Sequence, residues 1–233
     1  MSVMTKKDSS GENCDLSVMT KKDSSGENCD SSVMTKKVPR EVKCVLVGDG
    51  GVGKTSLVLS YTTGKIMTSY EPTCFDDYLV NIRTRNGIEK MQVSDTAGQE
   101  TYDRLRTLSY YDTDVFIVCF SVEDKDSLEN VKTKWIPEIK DFRPNTPYVL
   151  VGTQTDLRGS VTDITDACVK TQKGKKLAKK LGAIDYLECS SLESVGLDEL
   201  FTVAYTAATN PKRKRRVWQS FKSAFKRKSM VSK

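Results

Sequence analysis

The stretch "VLVGDGGVGKTS", residues 45–56, decides the fold of this chain. It starts in the mostly apolar run Val42–Val47, which predicts a buried β-strand, and continues into the spacing G-x-x-x-x-G-K-T. In such a loop the glycines let backbone N–H groups face phosphates, Lys54 reaches the terminal phosphates, and Thr55 offers a hydroxyl to Mg²⁺. We therefore expect a nucleotide phosphate site, and the loop alone does not choose between ATP and GTP.

Short apolar runs alternate with helical patterns along the middle of the chain. The runs at 115–122 and 148–156, and a more mixed one at 89–98, each end in a polar turn, as buried parallel strands do. This order predicts an α/β fold with a doubly wound, mostly parallel sheet flanked by helices, whose ligands lie at the carboxyl ends of the strands. The apolar residues of the pattern at 124–136 fall on one helical face: Leu128, Val131, Trp135 and Ile136.

Two of the polar turns can recognise a base. In "GTQTDLR" (152–158), the Asp156 carboxylate can accept hydrogen bonds from the guanine N1–H and 2-amino groups, which adenine lacks. A Thr-x-x-Asp pattern alone is also a common helix cap. The loop "ECSSL" (188–192) follows a short predicted strand and can offer backbone N–H groups to the guanine O6. Together these turns favour GTP.

A third turn, "DTAGQE" (95–100), carries the chemistry of hydrolysis. Asp95 can hold Mg²⁺ through water, Gly98 can donate a backbone N–H to a γ-phosphate, and Gln99 can orient the attacking water. The segment "YEPTCFDDY" (70–78) adds Thr73, a second hydroxyl for the metal on a loop that is free to move. Phosphoryl transfer needs positioning and charge stabilisation rather than a covalent partner.

With these motifs in this order, residues 41–210 resemble a Ras-superfamily small GTPase. The words around the motifs resemble the Rho family, closest to its Rac and cell-division-control branch: "YTTGK", "YEPTCFDDY", "DTAGQETYDRLRTLSYYDTDVFIVCFSV", "KWIPEI" and "NTPYVLVGTQTDLR". Most small GTPases have Lys where this chain has Gln154, but that branch shares the Gln. The resemblance implies Mg-dependent binding and hydrolysis of GTP to GDP and phosphate, used as a molecular switch for signalling to effectors in cytoskeletal, polarity or trafficking processes.

The resemblance also implies a set of site residues with three roles. The residues implied for catalysis are Gln99, Lys54 and Thr73, and those implied as metal ligands are Thr55 and Thr73. Those implied for binding the nucleotide are Gly50, Gly51, Val52, Gly53, Lys54, Thr55, Ser56, Ile66, Tyr70, Thr73, Asp95, Gly98, Thr153, Gln154, Asp156, Ser190, Ser191 and Leu192.

Partners follow from the same resemblance. Residues 70–78 and 97–111 would be the two loops that the γ-phosphate orders and that effectors bind. A GTPase-activating protein would supply an arginine, because none is evident in cis, and an exchange factor would promote GDP release. Trp135 resembles a Rho-family tryptophan that contacts exchange factors and also packs, and the domain is expected to be a monomer. The side chains expected to face partners, with ordinary packing as the alternative for each, are Tyr70, Phe75, Asp76, Tyr102, Arg104, Leu105 and Leu108.

The chain departs from the family at several positions. Ile66 stands where the family has a phenylalanine stacked edge-on against guanine, a contact worth about 1 kcal/mol or more. Its loss predicts weaker nucleotide retention and faster exchange; the alternative is that Ile66 packs adequately and little changes. Asp77 replaces the usual Asn beside the effector loop, and residues 159–174 are several residues shorter than the family's charged insert.

These departures leave a rival function from another class. It is a constitutively GTP-loaded binding module or scaffold with negligible turnover. Gln99, with glycines at 50 and 51 that leave room for an arginine finger, argues for retained hydrolysis, whereas Ile66 argues for a poor off-switch. A nucleotide kinase should show an arginine-rich lid, and the sequence has none.

Composition and cysteine spacing exclude other classes. Apolar residues make up 37% of the 233 residues and charged residues 29%, which suits a soluble protein with a core. No apolar run approaches the roughly 18 residues of a spanning helix, and the first residues lack the apolar segment of a secretory signal. The seven cysteines have no C-x-x-C spacing, which indicates neither a disulfide framework nor a zinc site and favours a reducing compartment.

The two ends of the chain differ from the domain. Residues 1–40 repeat "SVMTKKDSSGENCD" with a period of 15, and this polar composition predicts a disordered extension. Residues 41–211 carry 20 basic and 25 acidic side chains, whereas residues 212–233 carry 10 basic and none acidic.

The basic tail, 211–233, is a candidate membrane-binding segment. The sequence ends without a C-a-a-X prenylation signal, but the tail places Val217, Trp218, Phe221, Ala224 and Phe225 on one helical face among lysines and arginines. This pattern favours peripheral binding of an otherwise cytoplasmic protein to an anionic membrane surface. Nuclear import, a calmodulin target and a disordered solubility tail are the alternatives. Nucleic acid is not expected as a partner, because the domain behind the tail is acidic.

Overall fold

The computed structural model describes residues 41–65, 73–84, 87–159 and 168–210. The predictions for the N-terminal repeat, Ile66, Tyr70, residues 160–167 and the basic tail lie outside the described residues. No helix within the described ranges is both long and apolar enough to cross a membrane.

One six-stranded sheet forms the centre of the described fold. Its strands lie in the order β2-β3-β1-β4-β5-β6, and every neighbouring pair is parallel except β2 and β3. The mostly parallel, doubly wound sheet predicted from the sequence is confirmed. The strands are β1 (Val42–Val47), β2 (Phe75–Thr84), β3 (Gly87–Thr96), β4 (Val115–Ser121), β5 (Tyr148–Thr153) and β6 (Tyr186–Glu188).

Strand β2 is the strand that the sequence analysis did not predict. It pairs antiparallel with β3 from Phe75 to Thr84, so the second half of the expected 70–78 loop is strand. Only Val80 and Ile82 of this strand are buried, because β2 lies at the edge of the sheet and most of its side chains face solvent. Its apolar residues occupy both odd and even positions, so the strand shows no regular alternation in the sequence.

Helices cover both faces of the sheet. Helices α1 and α6 share one hydrophobic cluster, and α3, α4 and α5 share the cluster on the other face. Leu128, Val131, Trp135 and Ile136 are all buried in the second cluster, as their common helical face predicts. The helices are α1 (Lys54–Thr63), α2 (Asp103–Leu108), α3 (Lys125–Asn130), α4 (Ile136–Phe142), α5 (Thr171–Leu181) and α6 (Leu197–Thr209), with a π-helical turn, Val131–Trp135, joining α3 to α4.

Candidate functional site

The predicted site residues meet at one edge of the sheet. The four parallel strands β1, β3, β5 and β6 end there, and a loop that carries a predicted motif follows each. Val52 and the three glycines at 50, 51 and 53 lie in the loop after β1, and Lys54, Thr55 and Ser56 form the first turn of α1. Thr73 lies two residues before strand β2.

The loop after β1 is built around Lys54. Gly51 and Gly53 have φ angles of 77° and 86°, which side-chain-bearing residues rarely adopt, and Gly53 is the last residue before α1. The buried Lys54 ammonium donates to the carbonyl oxygens of Gly48 and Asp49, each at 2.8 Å. Burial lowers the pKa of Lys54, and the negative charge of Asp95 opposes that effect. The loop therefore holds the Lys54 ammonium group at the point where strand β1 leads into the N-terminus of α1.

Three oxygen-bearing side chains from three separate segments meet beside this lysine. The Thr55 Oγ1 lies 2.6 Å from the Thr73 Oγ1 and donates to the Asp95 Oδ2 at 2.5 Å. The other carboxylate oxygen of Asp95, Oδ1, is buried and has no hydrogen-bond partner among the described residues. Burial raises the pKa of Asp95. A group of hydroxyl and carboxylate oxygens with one unsatisfied acceptor suits a hard, hydrated cation such as Mg²⁺.

Gly98 brings the segment after β3 against the phosphate loop. A Cβ atom built on Gly98 would overlap the backbone of Asp49 and Gly50, so only glycine allows this approach. Gln99 is exposed beside it and lines a cavity of about 430 Å³ together with Asp49, Gly50 and Gly98. Across this cavity lie two residues of the helical stretch after β4, Asn130 and Lys134.

The loops after β5 and β6 are joined to each other. The Ser190 hydroxyl donates to the Asp156 Oδ1 at 2.6 Å, and the Thr155 backbone N–H donates to the Cys189 carbonyl at 3.3 Å. The Gln154 amide donates to the Gly51 carbonyl at 3.2 Å, so the same loop also contacts the phosphate loop. The carboxylate predicted to recognise guanine is thus held at the edge that carries the phosphate loop.

Two of the residues predicted to bind the nucleotide have protein partners in the structure, and a third is exposed. The buried Thr153 hydroxyl donates to the carbonyl oxygens of Val52 and Phe120, which fixes the phosphate loop against β4. The Ser191 carbonyl accepts a hydrogen bond from the Ser60 hydroxyl of α1. The Leu192 side chain is exposed.

A profile of the Ras family matches residues 43–210, nearly the whole described domain. The chain belongs to the Ras family. Members of this family are small GTPases, which bind GTP or GDP with Mg²⁺, hydrolyse GTP, and switch their contacts with effectors, GTPase-activating proteins and exchange factors. The residues described above fit this cofactor set, because the lysine, the oxygen cluster and the glycine-lined loop converge on one edge.

In this Ras-family domain, an ion pair that the sequence analysis missed joins the loops after β5 and β6, the two base loops. Arg158 binds both carboxylate oxygens of Glu188 at 2.9 Å. Tyr186 and Thr171 donate to the same carboxylate at 2.6 Å and 3.0 Å. Partial burial raises the pKa of Glu188, but hydrogen bonds from Arg158, Tyr186 and Thr171 outweigh it and the net pKa falls below the usual 4.5. Arg158 is the last residue of the quoted motif "GTQTDLR" and Glu188 is the first residue of "ECSSL", so their opposite charges in two converging loops were the available signal.

A second missed group surrounds Arg106. Its guanidinium is buried, forms a bidentate ion pair with Glu138 at 2.8–3.0 Å, and contacts Asp103 at 2.6 Å. One nitrogen also donates to the Ala97 carbonyl at 3.0 Å, directly before Gly98. This arginine is close to the hydrolysis motif in sequence, but its donors are directed to protein acceptors. It supports the segment rather than supplying a cis arginine finger.

Of the two roles expected for Trp135, the structure shows the packing role. Its side chain is completely buried, because it packs in the second hydrophobic cluster beneath the sheet. The ring therefore has no surface to offer an exchange factor in this conformation. Among the other expected contact residues, Phe75, Asp76, Arg104, Leu105 and Leu108 are exposed, and Tyr102 is half-buried.

Proposed function

We propose that this Ras-family GTPase is a Rho-type molecular switch. The observation that carries the proposal is the convergence of Lys54, Thr55, Thr73 and Asp95 beside the phosphate loop, within a chain whose sequence around these residues resembles the Rho family. The switch hydrolyses GTP to GDP and phosphate, and it signals through residues 70–78 and 97–111 to effectors of cytoskeletal, polarity or trafficking processes.

Each site residue has a proposed part in hydrolysis. Thr55 and Thr73 would hold Mg²⁺ through their hydroxyls, and the unsatisfied Oδ1 of Asp95 would accept a hydrogen bond from its hydration shell. Lys54 exchanges its two carbonyl partners for phosphate oxygens. Bound Mg²⁺ neutralises charge that develops on the phosphate oxygens. Gln99 orients the attacking water, and its exposure leaves it free to do so.

The base contacts complete the proposed nucleotide site. Asp156, held by Ser190, accepts hydrogen bonds from guanine, and the Gln154 stem lies along the base. Ile66 and Tyr70 belong to this proposal from the sequence alone. The replacement of a guanine-stacking aromatic ring by Ile66 supports faster spontaneous exchange than in a conventional switch.

The exposed residues support a partner surface. Phe75 and Asp76 on β2 belong to one expected effector loop, and Leu105 and Leu108 belong to the other. Leu108 is 72% exposed, which is a large apolar area for a residue without a partner. We assign these residues to effectors, a GTPase-activating protein and an exchange factor.

The domain organisation and the localisation are part of the same proposal. A repeat extension (1–40), a GTPase domain (41–210) and a basic tail (211–233) would give a cytoplasmic protein that binds an anionic membrane surface through the tail. The tail's ten basic side chains and its apolar helical face support this assignment over nuclear import.

The test of the switch is single-turnover GTP hydrolysis with and without a Rho-type GTPase-activating domain. A GAP typically accelerates hydrolysis by about 10³–10⁵-fold, and Gln99→Leu is expected to remove most of that gain. Gln172→Leu, at an exposed position of α5, is the matched control and should keep the full acceleration. No acceleration of the wild-type protein by a Rho-type domain would contradict the Rho assignment and favour the GTP-loaded scaffold.

Fast exchange is tested separately by the release of fluorescent GDP with Mg²⁺ present. Ile66→Phe should release GDP about fivefold more slowly than wild type if the aromatic contact is worth about 1 kcal/mol. Equal rates of GDP release from both proteins would contradict fast spontaneous exchange and indicate a conventional switch that requires an exchange factor.

A further inference from the structure

Helix α5 presents a solvent face made almost wholly of lysine. Lys173, Lys175, Lys176, Lys179 and Lys180 are all exposed, and Gln172 is the other exposed residue of the helix. The opposite side packs closely on the sheet. Gly174 leaves room there for the Tyr186 ring, and Ala178 is buried in the second hydrophobic cluster.

This face is unusual because the rest of the domain is acidic. Between Asp166 and Asp185 the sequence has no acidic residue but has six lysines, those of α5 and Lys170. The remainder of residues 41–211 then carries 14 basic and 25 acidic side chains. A surface that serves only solubility mixes both signs, whereas a segregated face of one sign creates a field that attracts an oppositely charged partner.

Within residues 41–65, 73–84, 87–159 and 168–210, no carboxylate is paired with a lysine of this face. Among the described residues, none of the five ammonium groups of α5 forms an ion pair or hydrogen bond. Glu129 on α3 is the nearby acid: a hydrogen bond from Lys132 lowers its pKa, and the charges of Lys173 and Lys180 add to that effect. Because Glu129 is already paired with Lys132, the positive charge of α5 remains available.

The shape of the face favours a bilayer as its occupant. The helix is about 16 Å long and its five lysines are exposed along its length, so the face offers point charges rather than a pocket. Lysines without arginine or aromatic neighbours suit the headgroup layer of anionic lipids. Sequence-specific or stacking contacts to nucleic acid would need other residue types.

The position of α5 gives such contact a functional meaning. Helix α5 packs on β6, at one edge of the sheet, and β2 forms the other edge, five strand spacings or about 24 Å away. A bilayer against α5 would leave Phe75, Asp76 and the β2 edge facing the solution. We propose that the lysine face of α5 docks on an anionic membrane surface and sets the orientation of the domain, while the basic tail supplies the anchorage. This inference rests on the proposed membrane binding of the tail.

Vesicle sedimentation of the full chain, loaded with GDP and Mg²⁺, tests the proposal. Phosphatidylcholine vesicles with 30% phosphatidylserine are compared with pure phosphatidylcholine vesicles, at low and high salt. The triple variant Lys175→Gln, Lys176→Gln and Lys179→Gln keeps helix propensity and lowers the charge by three. The matched control, Lys65→Gln, Lys90→Gln and Lys140→Gln, removes the same charge from exposed positions on other elements.

The α5 variant is expected to lose affinity for the anionic vesicles by about tenfold to a hundredfold, since each lysine near such a surface contributes about fivefold. The control should lose threefold or less. Acetylation footprinting should show that anionic vesicles protect Lys175, Lys176 and Lys179 but not Lys65 or Lys90. Unchanged thermal unfolding and GDP binding will establish that both variants fold.

Three outcomes would overturn the inference, and they are distinguishable. If wild type does not bind anionic vesicles, the tail proposal fails together with this one. If wild type binds but the α5 variant binds equally well, or both variants weaken equally, the tail proposal stands and the lysine face is merely solvated. If the α5 variant keeps vesicle binding and loses binding to an RNA or DNA duplex, the face belongs to nucleic acid. GTP hydrolysis is measured separately and does not depend on any of these results.

Discussion

The phosphate loop is bonded to the helical stretch after β4 through Asp49 and Trp135. The indole Nε1 of Trp135 donates to the Asp49 Oδ1 at 2.7 Å, and the Asn130 amide donates to the other oxygen, Oδ2, also at 2.7 Å. Trp135 lies in the π-helical turn 131–135, a wider turn that often occurs at functional sites. Both oxygens of Asp49 are therefore satisfied by one helical segment, which holds the loop in place from behind.

The Trp135 ring also reaches the hydrolysis motif. The Arg106 guanidinium lies 4.7 Å from the ring centroid, and the Lys134 ammonium lies 4.8 Å from it. Since Arg106 also donates to the Ala97 carbonyl, one buried indole connects the phosphate loop with the segment that carries Gly98 and Gln99. We expect changes at this ring to affect both segments together.

Trp135→Phe should loosen the phosphate loop. The substitution leaves the Asp49 Oδ1 without its donor, and a lost hydrogen bond to a charged group costs about 1–3 kcal/mol. For a domain of this size that lowers the unfolding temperature by about 2–10 °C, which calorimetry measures. GDP release should be faster as well. The control is Trp218→Phe, in the tail, and an equal shift in that variant would contradict a role for the Asp49 bond.

Arg106→Leu should destabilise the domain more strongly. Removing the guanidinium leaves Glu138 without its ion-pair partner and the Ala97 carbonyl without a donor. Breaking a buried ion pair in this way costs about 3–5 kcal/mol, which urea unfolding measures. Arg104→Leu, at an exposed position two residues earlier, should change stability by less than about 1 kcal/mol. If both variants lose the same stability, the effect comes from α2 itself and not from the buried pair.

Glu188 predicts the pH dependence of the base loops. Its folded-state pKa is lowered below 4.5, so its contribution to stability is present above pH 4.5 and is lost as the pH falls through the folded value. Glu188→Gln should therefore destabilise the protein at neutral pH. The difference in unfolding temperature between this variant and wild type should become smaller below pH 4.5. Thermal unfolding from pH 7 to pH 3 measures this. Glu193→Gln, exposed in the loop after β6, should have an unfolding temperature that changes with pH as the wild-type value does. If the unfolding temperature of Glu188→Gln differs from wild type by the same amount at every pH, the ionised form of Glu188 gives no special stability.

The sequence was sufficient for features that depend on local pattern. Five of the six strands, the helical face of Leu128 and Val131, and the convergence of the motif loops follow from periodicity and from the rule that ligands bind at the carboxyl ends of parallel strands. The position of Thr73 beside Thr55 also agrees with the pattern, although the two residues lie in different segments.

The rest depends on pairs that are distant in sequence. Asp49 and Trp135 are 86 residues apart, and Arg158 and Glu188 are 30 apart, so no local period relates them. From the sequence, Trp135 could both pack on the apolar helical face and contact a partner. Only the π-helical turn and the buried indole donor decide between these roles.

Gly98→Ala should slow hydrolysis without abolishing GDP binding. The added Cβ would overlap the backbone of Asp49 and Gly50, so the phosphate loop and the segment carrying Gln99 must move apart. Since a displacement of about 1 Å at a catalytic group can cost about 100-fold, we expect single-turnover GTP hydrolysis to fall by at least tenfold. GDP affinity should change less than hydrolysis, because the segment that carries Gly98 can move away from the phosphate loop and the loops after β5 and β6 are untouched. Gly64 follows the last residue of α1 with a φ of 64°, and no atom lies within 4 Å of a Cβ placed there. Gly64→Ala therefore introduces only backbone strain and should hydrolyse GTP at the wild-type rate. Wild-type hydrolysis in Gly98→Ala would mean that the two segments do not need their close approach for catalysis.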